Sequence, residues 1–510
     1  MVRIMSSPPS PYDSVAYPSR AFAQTHPDRL AVMGTLLGMN PAPVEACRVL
    51  ELACGDGSNL IPMAYGLPKS EFYGVDLAAK PVASPNATIK RIGLRNIRIE
   101  QMDLRELDER LGKFDYIIAH GVFAWVPRDV QERILSICRA TLAERGIAYV
   151  SYNTNPAGAV RQMVREMMQF HAARTPASAD PVKAAKEFSA AILEIAEEGS
   201  AWKTLLQHEF KLTFDRDDRV TFHDDLGASF TPVSFAEFAD RSSRHGLQIL
   251  AEAFVKSLLQ PDLRPECLEA LHRLAEDDSV AYQAYLDFAT YRRFRQTLLC
   301  HADVPLRRDR ILHQAQKLLL ASPLKMTAEQ PKGTFHFANT RGHGTIQTNN
   351  PRLARVLRRL EEIWPRALPC SELLDSLPPD LAESPPAESQ QNDARSQLLQ
   401  TLLGLAAPNL VDLRAHQAPI AAGVSARPAA SLLARIQAEE GSLITTLLHV
   451  HVEMEDELGR KFLRLLDGTR NPEMLAEAIA SGDTPPARER VLKDVNENLA
   501  KFYRMALLIA

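Results

Sequence analysis

Acidic side chains recur where successive predicted strands end, at the edge where parallel sheets bind their ligands. Glu51 lies at the end of the first apolar run, Asp76 ends the second and Asp103 the third. Asp76 follows Gly57 by 19 residues, a spacing at which a carboxylate can accept hydrogen bonds from both hydroxyls of a ribose. The pattern therefore predicts a site for a ligand that contains a nucleoside.

A loop of small residues joins the first strand to the next helix, with the sequence Ala53-Cys54-Gly55-Asp56-Gly57-Ser58-Asn59. Gly55 and Gly57 can adopt positive φ and let a ligand approach the backbone closely. A helical pattern of apolar residues begins at Leu60. A buried strand that turns tightly into a helix is typical of the first half of a βαβ unit.

Five predicted strands position these residues, at 49–52, 71–76, 97–103, 114–120 and 146–152. Each has a polar residue at or near its end, and helical patterns connect them, which indicates an α/β domain with a Rossmann-like parallel sheet. Pro81 and Pro85 interrupt the second connection. We therefore predict that its helix begins near Asn86.

Composition narrows the class of protein. A chain of 510 residues is too long for one core, so we expect two to four domains. A net charge of −4 disfavours a dedicated nucleic-acid binder. The six cysteines lie far apart without a C-x-x-C pair, which favours reduced thiols over a zinc site. We expect a cytoplasmic protein without a membrane span, because the chain has no run of ~18 apolar residues and no visible export signal.

Changes in pattern along the chain divide it into five predicted segments. They are an N-terminal arm and helical cap (1–45), a Rossmann-like domain (46–160), a helical and mixed α/β segment (161–325), a winged-helix-like domain (326–425) and a helical domain (426–510). Within the third segment we predict a strand at 220–223, a helix at 235–245 and a strand at 247–255. Within the fourth we predict a hairpin around Gly342 or Gly344 and a helix capped by Asn349.

The order of strands and acidic residues resembles that of the class I S-adenosylmethionine-dependent methyltransferases. Their loop usually has glycine where this chain has Ala53. The resemblance narrows to a bacterial subfamily that carries a methyltransferase regulatory domain and includes lysine methyltransferases of outer-membrane proteins. The motifs that carry it lie at 12–27, 59–64, 120–127, 151–154, 244–248, 364–365 and 465–470. After Pro156, where the subfamily usually has Gly-Trp, this chain has Ala157-Gly158.

The resemblance implies S-adenosylmethionine as the cofactor and assigns residues to it. Backbone N–H groups at Gly55 to Gly57 would face its carboxylate, and Glu51 would orient its ammonium. Asp76 would accept from the ribose hydroxyls and Asp103 from the adenine amine. The full predicted set is Glu51, Ala53, Gly55, Gly57, Asn59, Asp76, Leu77, Met102, Asp103, Leu104 and His120.

The resemblance also implies that a protein lysine accepts the methyl group. A lysine amine must first lose a proton, and its usual pKa of ~10.4 falls on desolvation or beside the sulfonium charge. Candidates for catalytic contact are His120, Trp125, Tyr152 and Asn153, and candidates for the substrate channel are Tyr12 and Tyr17. His120 is the best candidate for a base, and packing in the wall of the cleft is the alternative role.

Several alternatives stay open at this stage. The enzyme could instead methylate a nitrogen or oxygen of a small molecule, or the chain could be a scaffold that keeps only the fold. Residues 326–510 are predicted to bind a partner protein. Binding to DNA through the arginines of the helix near Glu361 and Glu362 is disfavoured, because these carboxylates place negative charge beside them. His449, His451 and Glu453 would share one face of a strand, but without a fourth ligand we predict no metal site.

Overall fold

The computed structural model describes residues 15–176, 179–259, 261–330, 333–375, 388–479 and 488–509, so Tyr12 lies outside the described residues. The strands are β1 (Arg48–Leu52), β2 (Glu71–Asp76), β3 (Ile97–Gln101), β4 (Phe114–Ala119), β5 (Leu142–Asn153), β6 (Leu247–Glu252), β7 (Phe294–His301), β8 (Leu319–Ala321), β9 (Leu324–Gln330), β10 (Thr334–Asn339), β11 (Thr345–Thr348), β12 (Leu368–Pro369), β13 (Asp412–Arg414), β14 (Leu443–Thr445) and β15 (His451–Glu453).

The α-helices are α1 (Pro27–Leu36), α2 (Leu60–Gly66), α3 (Ala79–Ile92), α4 (Arg128–Thr141), α5 (Ala157–Ala172), α6 (Pro181–Ile195), α7 (Ala201–Phe214), α8 (Asp218–Asp225), α9 (Phe235–Arg244), α10 (Pro265–Ala275), α11 (Ser279–Thr290), α12 (Ile311–Ala315), α13 (Pro351–Ile363), α14 (Cys370–Asp375), α15 (Glu388–Ala406), α16 (Leu432–Glu440), α17 (Glu457–Leu465), α18 (Pro472–Ile479) and α19 (Arg488–Arg504). None of these helices, as far as the structure describes them, is long and apolar enough to cross a bilayer.

The central sheet has seven strands in the order β3-β2-β1-β4-β5-β7-β6. Strands β1 to β5 pair in parallel, and β7 runs antiparallel to both of its neighbours. This arrangement confirms the predicted Rossmann-like α/β fold. Strands β6 and β7 come from the segment predicted at 161–325, so the sheet is not confined to residues 46–160.

Apolar residues cover both faces of this sheet, as parallel strands require. One face packs Val49, Tyr116 and Tyr149 with residues of α1 and α2. The other packs Ile117 and Val150 with residues of α4. Because successive side chains of a strand point to opposite faces, the side chains of β5 separate into two sets that meet different neighbours.

Two local predictions were wrong. The helix expected to begin near Asn86 begins at Ala79, because Pro81 lies in its first turn, where a backbone N–H has no partner within the helix. The strand expected at 220–223 is part of α8, which Asp217 caps by accepting a hydrogen bond from the backbone N–H of Arg219 at 2.9 Å. The cap and the tertiary contacts outweigh the preference of the β-branched residues for a strand.

The C-terminal half contains two three-stranded sheets and a short hairpin. The predicted hairpin near Gly344 is confirmed by the antiparallel pairing of β10 with β11. The cap of the following helix is Asn350, one residue after the predicted Asn349. Helix α1 joins this half to the central sheet, since the Asp28 carboxylate accepts from the backbone N–H groups of Ala415 at 2.6 Å and His416 at 3.1 Å.

Candidate active site

Glu51 and His120 flank the point where the strand order of the sheet reverses. Strand β1 lies next to β4, and the chain proceeds from β1 toward β2 on one side and from β4 toward β5 on the other. Ligands of open α/β sheets bind in the crevice at such a reversal, outside the carboxyl ends of the strands. The structure therefore brings two predicted site residues to the same crevice, namely Glu51, assigned to the cofactor, and His120, the candidate base.

The loop after β1 adopts the backbone that a close ligand requires. Ala53, Gly55 and Gly57 have φ values of 58°, 56° and 71°. A Cβ atom on Gly57 would lie 2.5 Å from Ile99 Cδ1, so a side chain there would force Ile99 to shift, in addition to the strain of the positive φ. A Cβ atom on Gly55 would meet only Ser19 Oγ, at 3.9 Å, which leaves space beside that backbone for a ligand.

The Asp76 carboxylate connects the ends of β1 and β2. Its Oδ2 accepts from the Gly55 backbone N–H at 2.9 Å, and its Oδ1 accepts from that of Ala78 at 2.9 Å. These two bonds hold the loop in place and set the Asp76 carboxylate at the end of β2, where the acceptor of ribose hydroxyls lies in folds of this type.

Glu51 is buried with one oxygen paired and one not. Its Oε1 accepts from Asn59 Nδ2 at 2.7 Å, whereas Oε2 is buried without a hydrogen-bond partner among the described residues. Burial raises the pKa of Glu51 to about 8. A buried acceptor left unpaired is costly, and the ammonium of an amino-acid moiety would satisfy it.

Asn59 is the most heavily bonded residue of the site. Its Oδ1 accepts from the Phe22 backbone N–H at 2.9 Å and lies 2.9 Å from His449 Nε2. Its Nδ2 donates to Thr25 Oγ1 at 3.0 Å as well as to Glu51. The amide is thus fixed by segments that are far apart in the sequence.

The adenine end of the predicted site is less enclosed. Asp103 caps a short 3-10 turn, accepting from the Arg105 backbone N–H at 2.9 Å, and pairs with the Arg105 guanidinium at 3.1 Å. Leu104 is buried, Met102 is half-buried, and Leu77 is 57% exposed. The contact of Asp103 with an adenine amine stays a prediction.

His120 lies directly after β4 and contacts two hydroxyls of β5. Its Nδ1 is 3.0 Å from the Tyr149 hydroxyl and 3.1 Å from Ser151 Oγ. The Tyr149 hydroxyl donates to Gln296 Oε1 at 2.7 Å, so its oxygen can accept from His120 Nδ1–H; in that tautomer Nε2 is an acceptor. Burial lowers the pKa of His120 to about 4, so the imidazole is neutral near pH 7.

The structure does not place Tyr152 beside His120. Its ring stacks on Phe238 with centroids 4.3 Å apart, and its hydroxyl lies 3.3 Å from Thr297 Oγ1. Strand alternation explains the error, since Tyr149 and Ser151 point to one face of β5 and Tyr152 to the other. Asn153 lies two residues after Ser151 and therefore points to the same face of β5. It is 8% exposed, and its predicted role stays open.

Trp125 and Tyr17 belong to a separate group, which we call the channel cluster (Tyr17, Trp125, Arg161, Asp224 and Phe230). The Trp125 ring lies 4.8 Å from that of Phe230, and the Arg161 guanidinium carbon lies 5.1 Å from the Trp125 ring. Arg161 pairs with Asp224 at 3.3 Å, and the Tyr17 hydroxyl donates to Asp224 at 3.4 Å. The two predicted aromatic residues are therefore linked through an ion pair.

Residues 15–22, the N-terminal segment, connect this cluster with the cofactor loop. Val15 O lies 2.8 Å from His223 Nε2 in α8, and Ser19 lies beside Gly55. The Phe22 ring stacks near His120, with centroids 4.1 Å apart. The sequence pattern did not single out Phe22, Tyr149 or Ser151 as site residues, and it considered His449 only as a metal ligand. Strand alternation alone would have indicated Tyr149 and Ser151.

Comparisons with known proteins agree with this architecture. Family models match at residues 49–146 (methyltransferase domain), 217–301 (predicted methyltransferase regulatory domain) and 426–484 (PKMT, C-terminal winged helix domain). The protein RP028 of Rickettsia prowazekii (strain Madrid E) is 35% identical over 240 residues, which cover 47% of this chain and 96% of that protein. RP789 of the same strain is 29% identical over 484 residues, which cover 92% of this chain and 85% of that protein.

The structure of PKMT2 from Rickettsia typhi is also similar, with a TM-score of 0.85 and 26% identity over 97% of this chain and 100% of that one. It has also been solved in complex with AdoHcy, with a TM-score of 0.84 and 25% identity over the same shares of the two chains. The chain belongs to this family of S-adenosylmethionine-dependent methyltransferases. The matched winged helix lies at 426–484, in the segment predicted to be helical, and a winged-helix-like domain at 326–425 stays a prediction.

The residues present fit the cofactor. The unpaired oxygen of Glu51 suits its ammonium, the space beside Gly55 suits its carboxylate, and Asp76 lies at the ribose position. When bound, S-adenosylmethionine supplies an electrophilic methyl group. The protein's contribution is to orient the two reactants and to exclude water.

Proposed function

We propose that this enzyme methylates lysine side chains of a protein. The observation that carries the proposal is the similarity over nearly the whole chain to PKMT2, including the region matched by the PKMT winged-helix model. Relatives that share only the methyltransferase domain would not account for this agreement in the C-terminal half. A large acceptor also needs more recognition surface than a small molecule.

The surroundings of His120 suit an amine acceptor. The imidazole is buried and neutral and lies close to the Phe22 ring. Desolvation lowers the pKa of a lysine that enters such a place, so its proton leaves to solvent before the transfer. The neutral amine can then donate to His120 Nε2 while its lone pair faces the methyl group. Holding the nucleophile ~3–3.5 Å from that carbon contributes up to ~7–11 kcal/mol to lowering the barrier.

The departure at Ala157-Gly158 has a steric basis. A Cβ atom on Gly158 would lie 2.5 Å from Pro232 Cβ, so a tryptophan at this position requires the segment around Pro232 to move. The packing supports an acceptor site that keeps the chemistry of the family but differs in shape from the acceptor site of relatives that carry Gly-Trp.

Incubating the protein with methyl-labelled cofactor and two acceptor pools tests the proposal. One pool is an envelope-protein extract, used either untreated or with its lysines blocked by acetylation, and the other is a small-metabolite fraction. We expect label on lysine in the untreated extract and none in the blocked extract. The Asp76→Ala variant controls for contaminating enzymes. Label confined to the small-metabolite fraction would contradict the proposal and support the alternative of a small-molecule methyltransferase.

A further inference from the structure

Two histidines of the C-terminal half reach the cofactor side of the active site. They lie on the hairpin formed by β14 and β15, residues 443–453, which we call the C-terminal hairpin. His449 Nε2 lies 2.9 Å from Asn59 Oδ1, and His451 Nε2 accepts a hydrogen bond from the backbone N–H of Ala21. The alternating pattern predicts that these histidines share one face of a strand, whereas His449 precedes β15 in the left-handed conformation, with φ 56°.

The bond between His449 and Asn59 fixes the orientation in which the Asn59 amide donates to Glu51. His449 is buried, and burial lowers its pKa to about 3. A neutral imidazole can donate from Nε2, and the Phe22 backbone N–H is a second donor to the same oxygen. Two donors at Oδ1 leave Nδ2 directed at Glu51 Oε1. One oxygen of Glu51 is thereby occupied, and the other is left for the ligand.

We infer that His449 is a positioning residue for cofactor binding, acting through Asn59 on Glu51. The winged-helix region thus contributes to the methyltransferase site itself, in addition to any surface that it offers to an acceptor. Within the described residues of the C-terminal half, His449 is the one residue whose side chain bonds to Asn59, and the bond spans 390 residues of sequence. The inference rests on the cofactor assignment and does not depend on which acceptor is methylated.

The test compares two ligands by calorimetry on the full-length protein. S-adenosylmethionine carries the ammonium that Glu51 would bind, whereas 5′-methylthioadenosine lacks the amino-acid moiety. In His449→Asn the replacement tolerates positive φ but is too short to reach Asn59. We expect its affinity for S-adenosylmethionine to fall about tenfold, the loss of roughly one hydrogen bond to this network, with that for 5′-methylthioadenosine changed less than twofold.

Two further variants complete the test. Glu453→Gln alters an exposed residue of the same hairpin and should leave both affinities unchanged. In a Glu51→Gln background, His449→Asn should have less than a twofold additional effect, because the contact through which it acts is already weakened. An equal loss for both ligands would show a general structural role and overturn the inference, as would full additivity of the two substitutions. Unchanged affinity in folded His449→Asn would also overturn it.

Discussion

The cofactor side and the acceptor side of this active site are assembled in different ways. The cofactor side is formed mostly by the ends of β1 and β2 and the loop between them, so that Glu51, Gly55 and Asp76 lie within 26 residues of one another. The proposed acceptor side joins the N-terminal segment, the residues after β4, one face of β5 and the channel cluster. Local sequence therefore encodes the first, and tertiary packing creates the second. Substitutions should separate the two sides, affecting cofactor affinity on one and turnover on the other.

The largest expected effect is on the cofactor side, at Asp76. Asp76→Ala removes the acceptor for the ribose and two hydrogen bonds that hold the loop and the start of α3. Hydrogen bonds to charged groups contribute about 1.5–3 kcal/mol each, so we expect the affinity for S-adenosylmethionine to fall about 100-fold or more in calorimetry. The same substitution at Asp103, which lies at the more open end, should cost less than about tenfold. A larger loss at Asp103 would reverse this order.

The next effect is on the acceptor side, at His120. His120→Asn removes the Nε2 acceptor that would orient the amine, and we expect methyl transfer to slow by about 10- to 100-fold, with cofactor affinity changed less than about threefold. Tyr152→Phe is the matched control on the opposite face of β5. Its hydroxyl bonds to Thr297 Oγ1, on the face of β5 opposite to that of Tyr149 and Ser151, so turnover should change less than about threefold. If both variants lost turnover equally, the division of β5 into two faces would not describe the site.

The sequence was sufficient where function follows from neighbours in the chain. The strand ends at Glu51 and Asp76, the glycine loop and the parallel sheet were all predictable, because motif spacing and apolar runs determine them locally. Tyr152 was misplaced because the prediction took adjacent residues of a strand together and ignored alternation. His449 could not be assigned from sequence, since its contact with Asn59 spans 390 residues. The strand predicted at 220–223 failed because the Asp217 cap favours a helix.

A stability measurement extends the comparison to the C-terminal hairpin. His449 has a pKa of about 3 in the folded protein and ~6.5 when unfolded. The unfolded state therefore binds the extra proton first, so the stability that neutral His449 contributes is full above pH 6.5 and is lost as the pH falls from 6.5 toward 3. Asn does not titrate, so the stability difference between wild type and His449→Asn should narrow by about 1–2 kcal/mol from pH 7 to pH 5. Denaturant unfolding at both pH values measures it; a constant difference would contradict the prediction.

The smallest expected effect is the release of a single proton when the cofactor binds, and it also distinguishes the two sides of the site. Glu51 has a pKa of about 8 because it is buried, with Asp56 and Asp76 nearby, so it is protonated in the free enzyme at pH 6.5. The cofactor's ammonium is charged at that pH and lowers the pKa of the carboxyl that it contacts. Binding at pH 6.5 should therefore release close to one proton, and affinity should rise as the pH increases toward 8.

Calorimetry in two buffers of different ionisation enthalpy counts the proton. Glu51→Gln should abolish its release, whereas His120→Asn should not, because His120 has a pKa of about 4 and is already neutral. Proton uptake, or release that persists in Glu51→Gln, would place the linkage on another group and remove Glu51 from the ammonium site.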